Sequence, residues 1–131
     1  MTPSQMEYVL GVLARLRSAG LDDEGVTRTV SPPPLVDGWD KRVELTKLQD
    51  VEFLDEAAEL TEELLEFEEQ ESGTRIAGSF CPVVRSIGSP RFCVGIDPEN
   101  LGQICFSDPD FGTAIIADSV ETFLQMVEVV Q

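Results

Sequence analysis

The sequence contains no histidine. Nucleophilic catalysis of the Ser–His or Cys–His kind is thereby excluded, because no imidazole is present to act as base. Basic residues are scarce as well, 9 against 25 acidic ones, for a net charge of −16. Phosphate binding needs a basic surface, so this balance argues against nucleic acid as a partner and against an anionic membrane surface. No apolar run approaches the ~20 residues of a membrane span. Met1 to Gly20 carries Glu7, Arg15 and Arg17 within an amphipathic pattern, with none of the unbroken apolar core of a signal peptide. The expectation is a soluble cytoplasmic protein. There are only three cysteines, Cys81, Cys93 and Cys105, with no CxxC pair. They offer neither a disulfide framework nor a zinc site, and are expected to be small buried strand residues in a reducing compartment. No glycine-rich phosphate loop precedes a helix. No cofactor and no metal are expected.

What is present fits one folded unit. A chain of 131 residues with 42% hydrophobic content is expected to form a single domain over 1–131 with a real core. From Ser4 to Gly20, Met6, Val9, Leu10, Leu13 and Leu16 recur at helical spacing, with Ser4 as the candidate N-cap and Gly20 as the stop. Residues 21–40 read as loop, with the prolines Pro32, Pro33 and Pro34 stiffening an extended connector. Trp39, the single tryptophan, is either a core plug or an exposed anchor. Residues 42–49 alternate as a strand that opens at Lys41 and Arg42.

Residues 50–71 are unusual. Every charged residue between Leu48 and Thr74 is acidic. Phe53, Ala57, Leu60, Leu64 and Phe67 nevertheless recur at helical spacing, with Asp55, Glu56, Glu59, Glu62, Glu63, Glu66 and Glu69 opposite. The pattern is an amphipathic helix with a nearly continuous carboxylate face. Like charges at i,i+4, such as Glu59/Glu63 and Glu62/Glu66, each cost a few tenths of a kcal/mol. A face of that kind either solubilises the protein or meets a basic partner.

The last third, Ile76 to Val130, breaks into short runs of β-branched, aromatic and Cys residues separated by Gly, Pro, Asp and Asn turns. Phe92, Val94 and Ile96 alternate with small residues, as do Ile104 and Phe106, and Thr113–Ala117 adds a strand. Asp118 or Ser119 then caps a helix, with Glu121 placed to complete a capping box and Val120, Phe123, Leu124 and Val127 on its apolar side. Two lookalikes fail. Asp97 to Asp108 echoes a calcium loop, but Leu101 replaces a ligand, the last acid is Asp and strands flank it. Asp110-Phe111-Gly112 spells a kinase triplet with no kinase around it. No active site is recognisable.

The fold class expected from these elements is α+β. A largely antiparallel sheet of about four to six strands is flanked by an N-terminal helix, an acidic helix and a C-terminal helix. With helices on one face, the other face and the turn acids would remain for a partner.

The segments PRFCVGID, PENLG, QICFSDPDFG and IIADSVETFL, over roughly residues 80–127, resemble the C-terminal half of the SUKH superfamily. The family's usual N-terminal Leu-Pro segment and Asn-Gly pair are not found before residue 76. The resemblance implies a non-enzymatic binding protein, in many members a bacterial immunity protein that neutralises a cognate toxin, often a nuclease. It also allows a regulatory or scaffolding module without a toxin partner. An acidic inhibitor suits the immunity role, since nuclease clefts are basic. The candidate partner-binding residues are Glu59, Glu62, Glu63 and Glu66 on the acidic helix, with Asp97, Glu99, Asp108 and Asp110 in the turns. The expected partner is a protein with a basic surface.

Overall fold

A computed structural model describes residues 1–31 and 42–130; Trp39, Lys41 and the three prolines lie outside them. The fold is α+β. Helix α1 (Pro3–Ser18) leads into strands β1 (Thr27–Val30) and β2 (Val43–Leu48). A 3-10 turn (Val51–Phe53) opens helix α2 (Leu54–Ser72). Strands β3 (Phe80–Ser86), β4 (Arg91–Gly95), β5 (Ile104–Asp108) and β6 (Gly112–Ala117) follow. Helix α3 (Val120–Met126) and strand β7 (Val127–Val130) complete the order. No helix among the described residues is long and apolar enough to cross a membrane.

The sheet has seven strands rather than four to six, in the order β6-β5-β4-β3-β2-β1-β7, all antiparallel. The meander β3–β6 is where the turn residues placed it. The additional strands are β1, inside the segment read as loop, and β7, read as the end of the last helix. Each is four residues long and rich in Val and Thr, and they pair with each other, Thr27 opposite Val130 and Val30 opposite Val127.

That pairing forces the sheet to curl. Six steps of ~4.8 Å would separate β6 from β7 by about 29 Å if the sheet were flat. The link between them is α3, whose seven residues advance only about 10 Å, plus one short turn. The edges must approach each other to be joined. Register shifts between β2 and β3, within β3–β4 and within β5–β6 supply the local bends.

Helices pack on both faces of the sheet, so neither face is left wholly free for a partner. Alternation along β4 and β5 sends Phe92, Val94, Ile104 and Phe106 to one side, where they pack with Val9, Val12, Leu13 and Leu16 of α1 and Val120 and Phe123 of α3. Phe92 meets Phe106 edge-on at 5.7 Å and Phe123 at 5.3 Å between ring centres. Cys93 and Cys105 point the other way and join Phe80 beneath Leu65 of α2. Leu54, at the start of α2, reaches the larger cluster.

Caps fix the helix ends. Thr2, not Ser4, caps α1: its hydroxyl accepts the Gln5 N–H while the Gln5 side chain accepts the Thr2 N–H. Gly73 ends α2 in the left-handed conformation, at φ 78°. Ser119 caps α3 through the Thr122 N–H. Glu121 completes no capping box and lies 3.7 Å from Arg15 instead.

Candidate functional site

Helix α2 is the element that presents charge. Its buried line is Leu54, Ala57, Thr61 and Leu65, and the Thr61 hydroxyl is satisfied by the Ala57 carbonyl at 2.9 Å. At 100° per residue, that line divides the rest of the helix into two unlike flanks. One carries Asp55, Glu59, Glu62, Glu66 and Glu69. The other carries Phe53, Leu60, Leu64 and Phe67, and Glu56 and Glu63 stand on the outer crest. The spacing Phe53–Leu60–Phe67, expected to be core, is in fact exposed: these side chains are 49%, 52% and 58% accessible. Thr61 and Ala58 let the helix settle on Leu54 and Leu65, which rotates the larger apolar residues out of the contact.

The carboxylate flank is only partly neutralised. Arg75, just past the helix, folds back on Glu62 in a short charge-assisted contact and lies 3.9 Å from Glu69. The hydrogen bond to Glu62 raises the Arg75 pKa, opposed by partial burial. Glu62 also accepts the Ser79 hydroxyl at 3.3 Å. Glu59 and Glu62 border one shallow pocket with Asp55, Ala58 and Ser79. Glu59, Glu63 and Glu66 are exposed and make no ion pair among the described residues.

The turn acids divide in role. The Asp97 carboxylate accepts the Ser79 N–H at 2.9 Å and the Gln5 amide at 3.0 Å, tying the β4–β5 turn to α1 and to the start of β3. Asp108 is buried at 3% exposure, and its Oδ1 accepts the N–H groups of Asp110 and Phe111, closing the β5–β6 turn. Both are turn-fixing groups, Asp97 through both oxygens and Asp108 through Oδ1. Glu99 and Asp110 are exposed. The turns therefore do not form one array with α2. Asp110 comes to the apolar flank of α2, and Glu59 and Glu62 lie on the other.

On the apolar flank a trough runs beside α2. Its widest part, of about 760 Å³, lies between the C-terminal half of α2 and the β5–β6 turn, with Leu64, Phe67, Glu68, Ile76 and Phe111 among its walls. Glu68 is half-buried there and accepts the Thr113 hydroxyl at 3.0 Å. Burial raises its pKa, and the Thr113 hydrogen bond opposes the rise. Glu68 was missed in the sequence because it sits among equally acidic neighbours; only the chain's return at Thr113 distinguishes it. A second cleft, of about 600 Å³, separates α1 from the start of α3 around Tyr8, Arg15 and Glu121. Burial and the Glu121 charge raise the Tyr8 pKa.

The cysteines are buried and free. Cys93 and Cys105 are cross-strand partners under α2, whereas Cys81 faces the larger core. Burial pushes the Cys81 thiol up to about 12 and raises Cys105 well above its ordinary value. Neither is an activated nucleophile. Among the described residues no cluster of three or more His, Cys, Asp or Glu is arranged to hold a metal.

A scan against protein-family models finds no match for this chain, and a search among curated proteins finds none either.

Proposed function

We propose that this chain is a non-enzymatic binding protein of the SUKH kind, acting as an immunity protein that neutralises a basic toxin domain, such as a nuclease, by direct contact. The observation that supports this reading is the outer surface of α2. Glu59, Glu63 and Glu66 stand exposed along one helix without a direct ion pair among the described residues, and a row of exposed apolar side chains runs parallel to them. Unpaired like charges at i,i+4 weaken a helix, and exposed aromatic residues cost solubility. Together they suit a surface that is covered when a partner with apolar centre and basic rim docks. Glu59, Glu63 and Glu66 are the leading partner-facing carboxylates, with Glu99 and Asp110 beyond the helix. Glu62 contributes through its pair with Arg75, and Asp97 and Asp108 shape the turns that carry Glu99 and Asp110.

The test is affinity capture from lysate of the source cells at low and at raised salt, with wild type and a Glu59→Ser/Glu63→Ser/Glu66→Ser variant side by side. A single basic toxin domain, held by wild type, released in part by salt and poorly held by the variant, is the expected result. Capture of a housekeeping assembly in its place favours a regulatory or scaffolding module. Equal retention by both proteins removes the acidic flank from the account.

A further inference from the structure

The trough beside α2 has a polarity that the acidic flank does not explain. Strand register places Lys47 opposite Arg85, Arg85 opposite Arg91, Arg91 opposite Ser107 and Ser107 opposite Thr113. Register partners share a face, so these residues form one polar row across five strands. The next row, Pro82, Cys93, Cys105 and Ile115, is apolar and runs under Leu65, which packs on both cysteines. Helix α2 thus covers the apolar row and leaves the polar row beside its own apolar flank.

Three clefts join along that line through shared walls. The first, of about 270 Å³, has Phe53, Leu60, Arg85 and Arg91 among its walls, with Asp50 and Glu56. The second, of about 190 Å³, shares Leu60 and Arg91 and has Cys93 and Ser107 at its base. The third is the wide part described above, sharing Leu64 and Pro109 with the second. One end of the trough is cationic, the middle is apolar, and the far end carries Glu68, Glu71 and Asp110, with Arg75 also on its wall but paired to Glu62.

The cationic end is out of keeping with a chain of net charge −16. Arg15, Arg17, Arg28, Arg42, Lys47 and Arg75 all have an acidic partner. Arg85 and Arg91 are exposed, directly opposite one another, and make no ion pair among the described residues. Like charges directly opposite are destabilising. Asp50 is engaged by Lys47 at 3.6 Å, and Glu56 stands on the cleft wall without pairing to either arginine.

We propose that this trough is a peptide-docking groove. Its occupant is an extended segment of the protein partner with a carboxylate at one end, apolar side chains in the middle and a basic residue at the other end. The carboxylate sits between Arg85 and Arg91, whose guanidinium groups offer paired donors. The apolar residues lie against Leu60, Leu64 and Phe67, and the basic residue meets Glu68, Glu71 and Asp110. From Phe53 to Phe67 the helix advances about 21 Å, which an extended chain covers in about six residues. This inference rests on the reading of the chain as a protein-binding module and specifies a second contact, distinct from the acidic flank.

The test uses end-blocked hexapeptides with Glu at one end, Lys at the other and varied apolar residues between, titrated into isotopically labelled protein and read by amide chemical shifts. Controls carry Lys at both ends or Glu at both ends. The expected result is shifts confined to α2, to residues 85–91 and to residues 107–113, with the mixed-charge peptides binding tighter than either control. An Arg85→Gln/Arg91→Gln variant should weaken the mixed-charge peptides by about tenfold or more, and Phe67→Ser should weaken them with both arginines present. All three substitutions are at exposed positions, so the fold should persist and the spectra will verify it. The Glu59/Glu63/Glu66 variant should bind the peptides like wild type. No binding at about 1 mM, shifts elsewhere, or indifference to the arginines would overturn the groove. Failure of the peptides while a basic partner still depends on the acidic flank removes the groove alone, whereas loss of that partner dependence removes the wider reading.

Discussion

Replacing Asn100 with Ala should destabilise the protein by much more than its place in a surface turn suggests. Asn100 is only 2% exposed. Its Oδ1 accepts the Asp97 N–H at 2.9 Å, and its Nδ2 donates to the Ala77 and Ser79 carbonyls at 3.2 and 2.9 Å. One side chain thus closes the β4–β5 turn and pins the entry to β3. Gly95 makes room for it, since a Cβ there would lie 2.1 Å from the Asn100 carbonyl oxygen. Truncation to Ala removes all three bonds. Ser79 keeps a second donor in the Ile96 N–H, and the exposed Ala77 can turn to water, but the Asp97 N–H is left without its acceptor. With both carbonyls able to find other donors, the loss is dominated by the Asp97 N–H: ~1 kcal/mol for its bond plus ~1–2 kcal/mol for the unsatisfied donor, about 2–3 kcal/mol in all. For a chain of this size that lowers Tm by roughly 6–12 °C. Urea unfolding followed by circular dichroism measures it. Asn100→Asp separates hydrogen bonding from packing, because it has the same shape but turns a second oxygen toward two carbonyls. The introduced carboxyl is held more easily in its protonated form when folded, so its folded pKa is raised. The ionisation part of the penalty is therefore absent below the unfolded carboxyl pKa and appears as pH rises, while the loss of one of the two amide donors persists at every pH. A loss for Asn100→Ala under about 0.5 kcal/mol, or an Asn100→Asp variant as stable as wild type at neutral pH, would refute this account of the turn.

Other consequences are as direct. Glu68 has a raised pKa, so its ionisation opposes folding as pH climbs through the unfolded and then the folded value; Glu68→Gln should raise Tm at neutral pH, with the gain vanishing under acid conditions in a pH series of melts. Leu65 is 1% exposed over Phe80, Cys93 and Cys105, and Leu65→Ala should cost about 2–5 kcal/mol in chemical denaturation. All three cysteines should resist a thiol reagent in the native protein at neutral pH and react together in denaturant. Rapid labelling of Cys93 in the native state would show that α2 lifts from the sheet.

Local patterns made the β3–β6 meander and the Ser119 cap of α3 legible, because turn residues and alternation act over a few positions. Phe92, Val94, Ile104 and Phe106 are core on the side that alternation assigns them. The pairing of β1 with β7 was hidden because it joins residues about as far apart as the chain allows, and four residues of Val and Thr carry too short a period to register. Periodicity also misjudged α2. Leu60 and Phe67 match a helical stripe as well as Leu54 and Leu65 do, and only the fit of Leu65 against Cys93 and Cys105 and of Leu54 against the larger core decides which pair is buried. The acids were plain in composition, but composition does not separate Asp108, which closes a turn, from Glu63, which faces water. Arg85 and Arg91 lie on different strands, and nothing local in the sequence announces that they are neighbours.

The exposed carboxylate flank of α2 is the centre of this account, and the association rate with the captured partner tests it most directly. It should be measured by stopped flow across ionic strength for wild type and for the Glu59→Ser/Glu63→Ser/Glu66→Ser variant. Electrostatic steering predicts fast wild-type association that slows with added salt, a slower variant with a shallower dependence, and convergence of the two at high salt. Identical rates and salt slopes for the two proteins would contradict it.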